Sequence, residues 1–110
     1  MDDDLELAEV ERICAQLDHE ARRLVECPSK ADAERLVARC KFIRQSLVGK
    51  YGYVGEQIAV YLAPAVKLLT LSSYDAGEAK QKIEGALFRI KNALHPLRMH
   101  ARANEPDLHE

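Results

Sequence analysis

Residues 54–71 read VGEQIAVYLAPAVKLLTL. Ile58, Leu62, Ala65 and Leu69 recur there at spacings of four, three and four, the stripe that a bundle helix turns toward its core. Tyr61 and Leu68 form a second ridge seven residues apart, and Val60 and Leu71 lie near the back with only Lys67 and Thr70 for polar company. A helix apolar on nearly every side is a buried helix, so the rest of the chain is expected to pack around this one. Pro64 removes the amide that would bond Val60 and clashes with that carbonyl, at about 3 kcal/mol in an undisturbed helix, which predicts a kink at Pro64.

Working outward, GKYGYVG at 49–55 interleaves three glycines with Lys50, Tyr51 and Tyr53 and reads as a loop. Lys50, Tyr51 and Tyr53 are its candidates for ligand contact or base stacking. The plainer alternative is a turn whose tyrosines cap the end of the bundle, since no GxxxxGK[ST] phosphate-loop pattern is present. Before it, Ala33, Leu36, Val37, Cys40, Ile43 and Leu47 mark a second helix, with Ser29 and Asp32 spaced like a capping box and Gly49 placed for a left-handed C-terminal cap. Val10, Ile13, Cys14, Leu17, Ala21 and Leu24 mark a first helix from about Asp3 to Cys27, stopped by Pro28. After the break at Ser72, Ser73 and Tyr74, Asp75 and Glu78 have N-cap spacing. The seam that follows is Ala79, Ile83, Ala86, Leu87, Ile90, Leu94, Leu97 and Ala101, and it continues past Pro96, so a kink near Pro96 is expected rather than a stop. The expected fold class is all-α, an up-down-up-down four-helix bundle of one domain over residues 1–104, with an acidic frayed tail at 105–110.

The chain has 110 residues, 31% charged and 47% hydrophobic, a globular balance that needs neither disulfide nor metal to support a core. Net charge is −2, but residues 1–34 hold eleven acids against four bases, residues 35–104 twelve bases against four acids, and Glu105, Asp107 and Glu110 follow. An acidic first helix and basic later ones complement each other within a bundle, and the nearly neutral total speaks against strong non-specific nucleic-acid binding. The N-terminal MDDDLELAEV has neither a basic n-region nor an apolar h-region, so a cytoplasmic setting is expected. The 54–71 stretch is too short for a membrane span and is interrupted by Pro64 and Lys67.

Chemistry-bearing patterns are sparse. Cys14, Cys27 and Cys40 lack CxxC spacing, and folding the first two helices about Pro28 puts Cys14 and Cys40 at one level on the core stripes, as reduced thiols. No ExxH pair for a di-iron bundle, no CxxCH and no GxSxG occurs, so neither metal nor cofactor is expected. Asp18-His19-Glu20-Ala21-Arg22 resembles the phospho-acceptor box of dimeric histidine kinases, in which a bundle histidine is followed by Glu and, three residues on, by Arg. The resemblance covers these five residues and implies a phospho-acceptor His19 with Glu20 as its base. The Thr-Pro that usually follows and any glycine-rich nucleotide box are absent. His19 lies about 200° around the helix from core Leu17 and should face solvent. Arg35, Arg39, Lys41, Arg44 and Lys50, with Lys80, Lys91, Arg98 and Arg102, supply the basic rows on which a nucleic-acid-binding alternative would rest.

The expected function is that of a small cytosolic helical interaction or adaptor protein, chaperone-like or regulatory and not an enzyme. Its partner-binding residues are Val60, Tyr61, Leu68 and Leu71, and a homodimer through the third helix is the simplest cover for them.

Overall fold

A computed structural model of the chain describes residues 6–103; the expected helix start at Asp3 and the acidic tail at 105–110 lie outside the described residues, as does the side chain of Arg102. Among the described residues the chain is all-helical, with no strand. We number four helices: α1 is Leu7–Glu26, α2 is Lys30–Ser46, α3 is a composite helix over 49–70, and α4 is Ala76–Ala103.

The ends of these helices follow from local chemistry. Glu6 is extended at φ −84° and ψ 154°, and its carbonyl accepts from the amides of Glu9 and Val10, so α1 opens after Glu6. Ser29 caps α2, its hydroxyl accepting from the Asp32 amide at 3.2 Å. Asp75 does the same for α4, accepting from the Glu78 amide at 3.0 Å. The cap at the end of α2 differs from expectation. Leu47 is the C-cap, and the left-handed residue is Gly49, at φ 63°, two positions further on.

The segment expected to be a loop is helical. Gly49–Tyr51 is a 3₁₀ turn that runs directly into the α-helical Gly52–Gln57. Only Gly49 uses the positive φ that glycine permits. Gly55 serves close packing instead, since a Cβ there would lie 3.0 Å from the Leu47 Cβ and 3.2 Å from the Leu47 carbonyl oxygen. The end of α2 and the start of α3 therefore touch backbone to backbone, and Tyr51, one of the candidates for ligand contact, is buried in the core.

Ahead of Pro64 the helix widens to a π turn over Ile58–Leu62, and the Ala63 amide donates to the Ile58 carbonyl five residues back. Pro64 then occupies the first turn of the α-helical Ala63–Lys67, where a missing amide is tolerated. A 3₁₀ turn, Leu68–Thr70, ends α3, and α4 runs without interruption through Pro96.

α1 packs on α2 and α4, and α3 packs on α2 and α4. One core joins them. The expected α3 stripe of Ile58, Leu62, Ala65 and Leu69 is buried throughout, with Ala63 and Val66 beside it. The α1, α2 and α4 stripes meet it through Val10, Leu17, Leu36, Cys40, Ile83 and Ile90 among others. At the far end of the α4 seam Leu97 is half-buried and Ala101 is exposed, because the core ends before that turn of the helix.

Candidate functional site

Burying one broad face of α3 leaves its opposite side in water. Val60 is 47% exposed, Tyr61 39% and Leu71 49%, while Leu68 is half-buried against the core. Full burial of such a side chain is worth roughly 1.5–3 kcal/mol, so at these exposures a sizeable part of that burial is left unused on this flank. Val60, Tyr61, Pro64, Ala65 and Leu68 form one wall of a groove of about 530 Å³, and Lys82, Gly85, Ala86 and Arg89 of α4 form the other. Leu71 stands outside this lining, at the end of α3.

Two features of the α4 wall bear on what the groove can hold. The Arg89 guanidinium lies 3.9 Å from the Tyr61 ring centroid, a cation–π contact that holds its plane in place. No carboxylate pairs with Arg89 among the described residues, whereas Lys82 is paired with Glu78 at 3.4 Å. Gly85 is exposed in the middle of a 28-residue helix, and a Cβ built on it meets nothing within 4 Å. Glycine in a helix interior costs about 1 kcal/mol relative to alanine, and no neighbour among the described residues requires it there.

A second cleft, of about 470 Å³, lies in the α1–α2 hairpin between Glu20, Arg23, Leu24 and Cys27 on one side and Asp32, Arg35, Leu36 and Arg39 on the other. Its charges are largely settled within the chain. Arg39 donates to Glu20 and, at 2.9 Å, to Gln16, and Arg35 donates to Asp32. His19 is exposed beside this cleft, but Glu20, the carboxylate that would serve it as a base, is held by Arg39. Asp18, on its other side, is bound to Arg22 at 2.7 Å.

The remaining candidates are scattered. Lys50 sits 5.3 Å from the ring centroid of the buried Tyr51, while Tyr53 is 62% exposed, so the structure does not gather Lys50, Tyr51 and Tyr53 into one binding surface. Arg98 of the α4 basic row is bound by Glu11 of α1. Cys14 and Cys40 are buried, and Cys27 is exposed; all three are free. Burial pushes the Cys14 thiol up to about 11, against an opposing pull from Arg98, and the Cys40 thiol up to about 12, against Arg39. Neither is a nucleophile at neutral pH. Gln57 is 4% exposed and its Oε1 has no hydrogen-bond partner, yet it lines none of these clefts. Among the described residues no group of three or more His, Cys, Asp or Glu could hold a metal ion, and no helix is long and apolar enough to cross a membrane.

Lys82, Gly85 and Arg89 were not legible as site residues. Their one sequence signal is a lone glycine inside an otherwise strong helical pattern, with cations three residues before and four after it. No family model, characterised protein or solved structure matches the chain.

Proposed function

We propose that this chain is a small helical interaction protein, an adaptor or regulator, that docks a partner on the outer face of α3. The observation that carries this is the exposed ridge of Val60, Tyr61 and Leu71, which continues through Leu68 into a groove floored by the core. Phe42, Val48, Tyr53, Phe88 and Met99 are exposed elsewhere, but the α3 residues are the ones that line or adjoin a groove, and a contiguous apolar face of this kind supports a contact surface. An up-down-up-down connectivity suits it, since α1 and α3 each pack on both α2 and α4. A bend of α3 at Pro64, favoured by the π turn before it, would push the ridge outward, and a milder bend near Pro96 falls beyond the groove. The three free thiols suit a reducing, cytoplasmic setting.

The test is a selection of binders from a displayed library of randomised helical peptides, with sedimentation of the chain alone at micromolar concentration. Binders should lose affinity when Leu68 or Leu71 is changed to Glu. A dimer dissolved by the same changes would make a second copy the occupant. Binders indifferent to both substitutions, with a chain that sediments as a monomer, would remove the proposal.

A further inference from the structure

Granting that α3 carries the docking face, its partner can be narrowed by charge and by shape. We propose that the α3–α4 groove receives an acidic amphipathic helix from another protein, seated with its backbone over Gly85 and a carboxylate on Arg89. The apolar wall from Tyr61 and Leu68 supplies the surface that an i, i+3, i+4 stripe covers, as in other helix-in-groove contacts.

Arg89 supplies the polarity. A guanidinium stacked on an aromatic ring has already lost much of its rotational freedom, and its edge carries the paired N–H donors that match a carboxylate. It has no carboxylate of its own among the described residues, and no acid lines the groove. Lys67, exposed next to Leu68, is a further cation without an ion pair among the described residues. A second copy meeting groove to groove is a poor fit for the same reason, because that lining offers no acid to answer Arg89.

Gly85 supplies the shape. It is exposed, its missing side chain leaves space that nothing fills among the described residues, and it lies between Lys82 and Arg89 on the groove wall. A docked helix approaches most closely where neither backbone carries a large side chain. The glycine weakens α4 and gains nothing inside the fold, and close approach by a partner accounts for it.

The experiment uses the whole chain and three synthetic helical peptides that share a leucine stripe and a central alanine but carry Glu, Gln or Lys on the flanks, read by fluorescence anisotropy. The Glu peptide should bind about tenfold more tightly than the Gln peptide, with the Lys peptide weakest, as expected for one charge-assisted bond. Arg89→Gln should remove the preference for Glu while leaving the Gln peptide bound, and Arg23→Gln, in the hairpin cleft, should leave it intact. Gly85→Leu should weaken all three peptides tenfold or more with no loss of thermal stability. Equal affinity for the three, a Glu preference that survives Arg89→Gln, or no saturable binding of the Glu peptide up to about 1 mM would overturn the assignment. Loss on Leu68→Glu with equal affinity for all three peptides would leave the docking face standing and remove only its acidic occupant.

Discussion

Two clefts among the described residues, in the α1–α2 hairpin and between α3 and α4, are both lined with arginine, and they differ in what answers it. In the α1–α2 hairpin Arg39 of α2 is held by Glu20 and Gln16 of α1, and Arg35 by Asp32 of its own helix, so two of the three arginines lining the cleft are answered and only Arg23 lacks an ion pair among the described residues. Between α3 and α4, Arg89 rests on the face of Tyr61 with no carboxylate among the described residues, above an apolar wall and beside an uncovered glycine. Charge that is matched within a chain holds helices in register. Charge left unmatched over an apolar groove is free to answer a partner's carboxylate, and the proposed docking surface rests on that difference.

The sharpest way to test that contrast is to compare the two sides of α3. Leu62 is fully buried beneath the groove, and Leu62→Ala should cost about 2–5 kcal/mol in urea unfolding. Tyr61→Ser, on the outer side of the same turn, loses a partly exposed ring and its contact with Arg89 and should cost about 1 kcal/mol, well below Leu62→Ala. A loss at Tyr61 as large as that at Leu62 would mean that the ridge is structural, and the groove would cease to be spare surface.

A smaller effect separates the glycines. Gly55→Ala drives a methyl against Leu47 and should destabilise the chain by about 1–3 kcal/mol, whereas Gly85→Ala should stabilise it by about 0.5–1 kcal/mol while weakening any ligand of the groove. Thermal melts of both variants check this. Stabilisation with unchanged binding would show that Gly85 has no part in docking.

The thiols distinguish open from closed surface more gently. Cys27, exposed in the hairpin cleft, should react with a maleimide at once in the native state, and Cys14 and Cys40 only on unfolding. Because their folded pKa values lie at about 11 and about 12, above the ordinary 9.0, the buried thiols stay protonated after the unfolded chain has begun to ionise. Their contribution to stability is whole below about pH 9 and is lost as pH rises through the range up to about 11 and 12, on the order of 1 kcal/mol per pH unit for each thiol. Urea midpoints between pH 8 and pH 11 in wild type and Cys40→Ala measure it.

These contrasts also show how far the sequence could be read. The four helices, the caps at Ser29 and Asp75 and the buried stripe of α3 are local patterns of period 3.6, and each is visible in a window of a dozen residues. The stretch 49–55 misleads because glycine serves two ends. Gly49 uses its freedom in φ, while Gly55 is glycine only because Leu47 arrives against it, a fact of packing that no local window holds. His19 and Glu20 likewise look like a pair until Arg39, nineteen residues beyond Glu20, takes the carboxylate. Half of the groove was legible as the surplus ridge of α3. Its other half, Lys82, Gly85 and Arg89, reads as the solvated face of an ordinary helix until α3 is laid beside it.

The most direct test of the groove as the recognition surface is a titration of the isotopically labelled chain with the Glu-flanked peptide, followed by amide and side-chain NMR shifts. The account predicts perturbations centred on Tyr61, Leu68, Gly85 and Arg89, with the hairpin cleft around Arg23, Arg35 and Arg39 unchanged. Shifts centred on that cleft, with Gly85 and Tyr61 still, would contradict it.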